Sequence, residues 1–198
     1  MTDPPSTPAD AVVLLAASAG GDIALQRVIS GLPAGFPAAV VVVCHRTSRL
    51  PSLLPGLLAR KTTLRVREVK QGDALEEATV YVAPPDLHVT VQPDRTLALS
   101  DGRRISFARS SANPLFESAG RVFGGRAVAV VLTGGGADAT DGVQAVAAHG
   151  GIVVVEDPTT ASFSGMPRSA IGTGCVDIVL PLPDIAPAIV NRVNAQAA

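Results

Sequence analysis

The residues 11–21, A-V-V-L-L-A-A-S-A-G-G, constrain the fold of this chain more than any other stretch. An unbroken run of Ala, Val and Leu is typical of a strand buried on both faces of a parallel sheet, because a half-exposed strand alternates with polar residues. Apolar residues then recur at helical spacing from residue 23 to residue 29. The sequence therefore predicts a strand that turns sharply into a helix and leaves one polar side chain, Ser18, at the carboxyl edge of the sheet. That edge is where open α/β sheets bind their ligands.

The turn around Ser18 is a relaxed G-x-S-x-G motif in which Ala16 replaces the first glycine. Small neighbours permit a tight turn and let a substrate approach the serine and the backbone N–H groups beside it. Two other interpretations stay open at this point. Ser18 is an ordinary small residue that caps the helix, or the turn binds phosphate. The phosphate interpretation is the weaker one, since the segment has neither G-x-G-x-x-G nor a lysine that closes the loop.

Composition favours one sizeable α/β domain. The 198 residues suit a single domain, and a hydrophobic content of 47% allows a large core, built from Val, Ala, Leu and Ile because only 3% of residues are aromatic. The net charge of −1 gives no electrostatic reason to expect a nucleic-acid partner, and no basic cluster or long apolar run predicts membrane insertion. Cys44 and Cys175 lack metal-ligand spacing; a disulfide between them stays open, but free buried thiols of a cytoplasmic protein are favoured.

The rest of the chain alternates predicted strands and helices. Residues 1–10 are polar and Pro-rich, which predicts a flexible leader or linker before a folded domain at 11–198. Buried strands are predicted at 38–44, 127–132 and 152–155, and other strands at 64–69, 79–83 and 176–180. Helices are predicted at 50–60, 113–123, 141–149 and 184–193, with a late start or a kink at Pro187 in the last. Alternating patterns at 88–92 and 96–100 predict an antiparallel hairpin.

These patterns together predict an α/β fold with a doubly wound, mostly parallel sheet flanked by helices and one antiparallel β-hairpin. Three of the apolar strands end in residues capable of chemistry, namely Ser18, His45 and Asp138. Because the carboxyl ends of parallel strands lie side by side, these residues are expected to meet in one crevice. A serine becomes a nucleophile when an imidazole takes its proton, and a buried carboxylate orients that imidazole. The set therefore predicts an acyl-transfer site, which needs no metal or organic cofactor.

Other residues compete for these roles. His88, at the start of the hairpin, and His149, near a helix end, are expected to be structural. Asp141 is expected to lie at a helix N-terminus. Cys44 precedes His45 directly, and since adjacent strand residues point to opposite faces, the two are poorly placed to form a nucleophile–base pair.

The motifs, in order, resemble the catalytic domain of the chemotaxis protein-glutamate methylesterases, the CheB family. The resemblance runs over nearly the whole chain, from about Val12 to Val193, and any one segment alone is a weak signal. The matching segments are A-S-A-G-G at 17–21, the strand ending in His45, V-Y-V-A-P at 80–84, D-L-H at 86–88, R-S-S at 109–111 with L-F-E-S-A at 115–119, L-T-G-G-G-A-D at 132–138, E-D-P at 156–158 and S-G-M-P-R-S-A-I at 164–171.

The resemblance implies hydrolysis of γ-glutamyl methyl esters on the cytoplasmic helices of chemoreceptors, with release of methanol; family members often also deamidate receptor glutamines. It implies Ser18 as nucleophile, His45 as general base and then acid, and Asp138 as the residue that orients the imidazole. It further assigns the oxyanion and substrate-binding positions to Ala19, Gly20, Gly135, Gly136 and Met166. The partners implied are methylated chemoreceptor helices, with no nucleic acid and no membrane insertion.

Several residues depart from the family's pattern. Ala16 and Ala139 stand where the family usually has glycine, Ala19 replaces a small hydroxyl residue, Gly135 replaces a methionine, Asn113 replaces an aspartate, and Arg46-Thr47 replaces Met-Pro. No segment the size of the family's N-terminal receiver domain precedes Ala11, so the sequence is a fragment or a stand-alone esterase domain, and a receiver domain acting in trans is a further conceivable partner.

The sequence leaves three alternatives to a receptor methylesterase. The chain is a catalytically weakened scaffold or binding domain of the same fold, an esterase or amidase for another acyl substrate, or, least favoured, a nucleotide-binding module.

Overall fold

The computed structural model describes residues 7–45, 53–102 and 110–197. Within them the strands are β1 Val12–Ala17, β2 Ala39–Cys44, β3 Arg65–Glu68, β4 Thr79–Val82, β5 His88–Val91, β6 Leu97–Ser100, β7 Ala127–Val131, β8 Ile152–Glu156 and β9 Ile178–Leu180. The helices are α1 Gly21–Ser30, α2 Leu54–Ala59, α3 Ala112–Phe123, α4 Thr140–Ala148, α5 Gly165–Ile171 and α6 Leu182–Ala197.

Seven strands form one parallel sheet in the order β3-β4-β2-β1-β7-β8-β9. The central strand β1 pairs with β2 on one side, where Ala17 faces Cys44, and with β7 on the other, where Ala16 faces Val131. From β1 the chain forms β2, then the edge strand β3, then β4 between them, and afterwards crosses to β7 and adds β8 and β9 outwards on the other side. The ends of β1, β2 and β7 therefore surround the point where strand order reverses, which is the usual ligand position of a doubly wound sheet.

Helices cover both faces of the sheet, which explains the unbroken apolar character of β1. Alternate residues of this strand belong to two separate cores. Val12, Leu14 and Ala16 pack with the apolar residues of α3 and α4. Val13, Leu15 and Ala17 pack with those of α1 and α6. All six are buried, so the prediction of a doubly wound sheet flanked by helices is confirmed.

The predicted hairpin is also confirmed. Strands β5 and β6 pair antiparallel, with Val91 opposite Leu97, and form a separate two-stranded sheet. The hairpin packs on α3, and the hydroxyl of Ser118 on that helix accepts a 2.9 Å hydrogen bond from the N–H of Val91.

Three helices, α6, α5 and α2, differ from the sequence-based predictions. Helix α6 begins at Leu182 and runs through Pro187, so the predicted late start is wrong. Burial of Ile185, Ile189 and Val193 in the core outweighs the backbone hydrogen bond that the proline removes. The sequence patterns also missed the short helix α5, whose Gly-Met-Pro start looks like a loop although proline is tolerated in a first turn.

The predicted helix at 50–60 begins later in the structure, at Leu54, and residues 50–52 of that prediction lie outside the described residues. The predicted leader is described from residue 7 onwards. Its last residues pack on the domain, since Ala9 is fully buried and donates a 2.9 Å hydrogen bond to the carbonyl of Leu75. Among the helices of the described residues, none is long and apolar enough to cross a membrane.

Candidate active site

Ser18 lies directly beyond β1, in a tight turn formed by residues 17–21 that we call the elbow. Its N–H donates to the carbonyl of Thr133 at 3.0 Å, and its carbonyl accepts from the N–H of Gly21 at 2.8 Å. Gly20 has a left-handed φ of +75° and is the N-cap residue of α1, with no side-chain cap. The cap position therefore belongs to Gly20, which argues against the helix-capping interpretation of Ser18.

Small residues at and opposite the elbow are sterically required. A methyl group on Gly21 would come within 2.6 Å of the Cβ atom of Ala17. A methyl group on Gly134 would lie 2.9 Å from the Cβ atom of Ser18 and would also collide with the sulfur of Met166. The Ser18 side chain therefore packs against a position of the glycine turn that has room for glycine only.

His45 follows β2 and stands beside Ser18. The pairing of Ala17 with Cys44 continues as a 3.1 Å hydrogen bond from the N–H of His45 to the carbonyl of Ala17, so the next residues, Ser18 and His45, end neighbouring strands at the same level. Neighbouring strands lie about 4.8 Å apart. Among the described residues no hydrogen bond joins the two side chains.

The imidazole of His45 contacts the carboxylate of Asp138. The Nε2 atom lies 2.9 Å from Oδ2, with the histidine side chain 17% exposed and the aspartate 3% exposed. The two atoms are at hydrogen-bonding distance, so the imidazole and the carboxylate are in direct contact. The structure thus brings two of the three predicted residues into contact and places the third on the adjoining strand.

The start of α3 holds Asp138 from the other side. The hydroxyl of Ser111 donates to Oδ1 at 2.5 Å, and the backbone N–H of Ala112 donates to Oδ2 at 2.8 Å. Ser111 is also the N-cap of α3 and accepts from the N–H of Asn113 at 3.2 Å. Both carboxylate oxygens are therefore hydrogen-bonded at the positive end of a helix.

These contacts decide the charge of Asp138. Burial alone would raise the pKa of its carboxyl, but the contacts with His45 and Ser111 and the N–H of Ala112 outweigh burial and hold that pKa below its ordinary value. Asp138 is therefore an anion at neutral pH, as an imidazole-orienting residue must be. Sequence reasoning gave Ser111 only as part of a motif, because the predicted helix began at residue 113, two residues after the serine, whereas the observed helix begins directly after it.

Backbone strain also occurs beside this contact. Ala139 has a φ of +75° and Ser110 a φ of +69°, both in the left-handed region that disfavours residues with a Cβ atom. These two residues directly adjoin Asp138 and Ser111. The sequence had shown Ala139 as a departure from a usual glycine, and the left-handed backbone explains why glycine suits that position.

Thr133 fastens the glycine turn, residues 133–137, to its surroundings. Its N–H donates to the buried carboxyl of Glu156 at 2.7 Å, and its hydroxyl donates to the carbonyl of Ala19 at 3.0 Å. The same hydroxyl accepts from the N–H of Phe163 at 2.9 Å. Glu156 is 2% exposed, and burial raises its pKa although the Thr133 N–H partly opposes that shift. Sequence reasoning named Glu156 only within a motif, because nothing local marks a buried support.

The backbone N–H groups of Ala19, Gly20, Gly135 and Gly136 donate none of the described hydrogen bonds. By contrast, the N–H of Gly134 is bound to the carbonyl of Phe163 at 2.9 Å. Met166 differs from the other predicted substrate-binding residues. It is fully buried beneath Gly134 and donates its N–H to the Gly134 carbonyl, so it contacts the turn from the core side.

Two of the residues that compete for the catalytic roles, His149 and Asp141, belong to helix α4. His149 is the C-cap of α4 and contacts the carbonyl of Ala145 at 2.8 Å, while Asp141 is an exposed residue in the first turn of the same helix. Cys44 and Cys175 are not joined to each other. No group of three potential metal ligands occurs within the described ranges. A cavity of about 650 Å³ between the hairpin and α3, lined by Thr90 and Arg121 among others, contains none of the three predicted catalytic residues.

Comparison with known proteins gives concordant matches. The CheB methylesterase family model matches residues 13–189. A relative from Leptospira interrogans is 35% identical over 88% of this chain, with 90% of its own length covered. The protein-glutamate methylesterase/protein-glutamine glutaminase 2 of Caulobacter vibrioides is 36% identical over 98% of this chain, which spans 56% of that relative. The crystal structure of the Thermotoga maritima CheB methylesterase catalytic domain matches with a TM-score of 0.86 and 32% identity, covering 91% of this chain and 97% of that chain.

Proposed function

Because this chain belongs to the CheB methylesterase family, we propose that it is a serine hydrolase that removes methyl groups from glutamyl γ-methyl esters on the cytoplasmic helices of chemoreceptors. The observation that carries the proposal is the contact between His45 and the ionised carboxylate of Asp138, whose two oxygens both accept hydrogen bonds. Ser18 follows β1 at the same edge of the sheet. A buried carboxylate with this many donors and an imidazole beside it suits acyl transfer better than a purely structural role.

The proposed reaction begins with attack of the Ser18 hydroxyl oxygen on the ester carbonyl. With Nε2 at Asp138, the Nδ1 atom of His45 is the ring nitrogen left to take the serine proton. The same proton passes to the methoxy oxygen as the carbon–oxygen bond breaks, which releases methanol and leaves a glutamyl ester on Ser18. Water then attacks this acyl-enzyme with His45 as base, and the proton returns to Ser18 as free glutamate leaves.

In this scheme the developing oxyanion accepts from the backbone N–H groups of Ala19, Gly20, Gly135 and Gly136, which donate none of the described hydrogen bonds. Those of Ala19 and Gly20 come from the elbow, and those of Gly135 and Gly136 from the glycine turn. Donors already fixed by the backbone stabilise an oxyanion without reorganisation, and loss of one typically costs about 10²–10³ in rate. Met166 supports this arrangement from below through Gly134. The absence of a Ser18–His45 hydrogen bond suits a site whose alignment tightens when substrate binds.

The same machinery acts on a primary amide, because attack on a glutamine side chain releases ammonia in place of methanol through the same acyl-enzyme. We therefore include deamidation of receptor glutamines in the proposal.

The test measures methanol release from a carboxyl-methylated chemoreceptor cytoplasmic fragment by the wild-type chain. Ser18→Ala, His45→Ala and Asp138→Asn are compared with Ser30→Ala, His149→Ala and Asp141→Asn, which change the same residue types at exposed positions outside the proposed triad. We expect the first three to lose about 10⁴-fold or more of the rate, and the matched controls to retain it. An unchanged rate in Ser18→Ala would overturn the mechanism. A wild-type chain that turns over small esters but not the receptor would overturn the substrate assignment.

A further inference from the structure

Among the described aromatic residues, Phe163 alone has an exposed side chain. Its side chain is 52% exposed, whereas the remaining described aromatic residues are all buried, namely Phe36, Tyr81, Phe116 and Phe123. Only 3% of the residues are aromatic, so it is unusual that one of these rings is exposed to solvent and not buried in the core. Single exposed apolar residues are common on protein surfaces, so the position of this one decides its meaning.

That position is directly beside the elbow. A methyl group on Gly20 would come within 3.5 Å of the Cδ2 atom of Phe163, so the ring lies over Gly20, two residues from Ser18. The backbone of Phe163 is fixed to the glycine turn, because its N–H donates to the hydroxyl of Thr133 and its carbonyl accepts from the N–H of Gly134, both at 2.9 Å. The ring is thus presented to solvent from a backbone that is held on both sides.

A second exposed apolar residue follows the elbow. Ile23 lies in the first turn of α1, three residues after Gly20, and is 70% exposed. The apolar face that α1 turns to the core is formed by other residues, Ala24, Leu25, Val28 and Ile29. Ile23 therefore contributes nothing to the core and is an exposed apolar residue two positions beyond the elbow.

The chemistry of the proposed substrate suits exposed apolar residues beside the elbow. The group that leaves is a single methoxy group, so most of what distinguishes a receptor from any other methyl ester lies on the acyl side, in the helix that carries the glutamate. Residues three or four positions away on that helix share its face, with Cβ atoms about 5–6 Å apart. A glutamyl ester that reaches Ser18 therefore brings the adjacent turn of its helix close to the elbow.

We infer that Phe163 is a specificity-determining residue that binds an apolar side chain one helical turn from the esterified glutamate, with Ile23 extending the same contact surface. The inference rests on the proposed function. Exposed aromatic residues on a rigid backbone are efficient anchors for a protein partner, since they bury a large area and lose little conformational freedom.

The experiment measures kcat/KM of the full chain on two substrates, the methylated receptor fragment and p-nitrophenyl acetate. The second substrate carries no helix and reports the chemistry at Ser18. The variants are Phe163→Ala, Phe163→Leu as a conservative change, and Ile178→Ala, which alters an exposed apolar residue on the edge strand β9. Circular dichroism and thermal unfolding establish that each variant is folded.

We expect Phe163→Ala to lower the ratio of receptor kcat/KM to small-ester kcat/KM by about tenfold, chiefly through the receptor KM. Phe163→Leu should fall between that variant and the wild type, and Ile178→Ala should leave the ratio at the wild-type value. An equal loss on both substrates would overturn the inference, because Phe163 would then support the catalytic geometry. An unchanged ratio would overturn it as well, while wild-type turnover of the receptor would leave the proposed function standing. A wild-type chain without receptor turnover overturns both.

Discussion

Asp138 and Glu156 are both buried carboxyl groups, at 3% and 2% exposure, yet their surroundings move their pKa values in opposite directions. Burial raises the pKa in each case. Asp138 has contacts from His45, Ser111 and the N–H of Ala112 that overcome this effect, whereas Glu156 has only the N–H of Thr133 to oppose it. The contacts around each carboxyl group therefore decide the direction in which its pKa moves.

The difference assigns the two groups to different tasks. In the proposed reaction, a charge next to His45 stabilises the imidazolium that forms when serine is deprotonated, so the donors around Asp138 would serve that reaction. Glu156 instead holds the backbone of Thr133, which in turn binds the carbonyl of Ala19 and the N–H of Phe163. An acceptor oxygen is all this task needs, and a glutamine or a protonated glutamate provides one as well.

Ser111→Ala is expected to have the largest effect among the variants that test this difference between Asp138 and Glu156. The change removes the 2.5 Å hydrogen bond to Asp138 and the cap of α3 at once. We expect kcat to fall about tenfold with little change in KM, because the imidazole loses part of its orienting charge, and the free energy of unfolding to fall by about 1–3 kcal/mol. Steady-state kinetics and urea denaturation measure the two effects separately.

Ser110→Ala is the matched control, since Ser110 is a buried neighbour whose hydroxyl donates to the carbonyl of Pro84 and does not contact Asp138. The pH dependence of kcat/KM adds a readout that capping alone does not affect. A Ser111→Ala variant that is less stable but keeps the wild-type kcat and pH profile would show that Ser111 is a helix cap only.

The next prediction sharpens the comparison through pH. Asp138 has a pKa below its ordinary value of about 3.9 in the fold, so it stabilises the protein above that pH and the stabilisation is lost as the pH falls through the folded pKa. Glu156 has a raised pKa, so its contribution is present below its ordinary value of about 4.3 and is lost as the pH rises through the folded pKa.

Urea unfolding at a series of pH values from 3 to 7 should therefore give opposite slopes. The stability difference between wild type and Asp138→Asn should grow as the pH rises from 3, and the difference between wild type and Glu156→Gln should shrink above about pH 4.3. Slopes of the same sign would refute the distinction between the two carboxyl groups. We further expect Glu156→Gln to keep catalytic activity within a few-fold of wild type, because the amide oxygen still accepts from Thr133.

The sequence predicted the sheet and the strand-end residues because these depend on local patterns. Apolar runs of defined length end at Ser18, at His45 and shortly before Asp138, and the geometry of a parallel sheet brings such ends together. The residues that hold Asp138 and Thr133 in place, Ser111 and Glu156, were not predictable from local patterns. Ser111 lies 27 residues from Asp138 in sequence, and Glu156 lies 23 residues from Thr133. Such contacts depend on how helices and loops pack over the sheet edge, and no periodicity in the sequence encodes them.

The smallest expected effect concerns Ala139, which joins Asp138 to the start of α4 with a φ of +75°. An alanine in the left-handed region costs about 1–2 kcal/mol, and Ala139→Gly relieves that strain. The change also removes a buried methyl group, worth about 0.8 kcal/mol, so the net gain in the free energy of unfolding should be at most about 1 kcal/mol. Ala145→Gly, within α4 and with ordinary helical backbone, is the matched control and should destabilise by about 1 kcal/mol. Urea denaturation of the two variants tests the prediction, and an Ala139→Gly variant destabilised as much as the control would mean that the strain beside Asp138 costs the fold nothing.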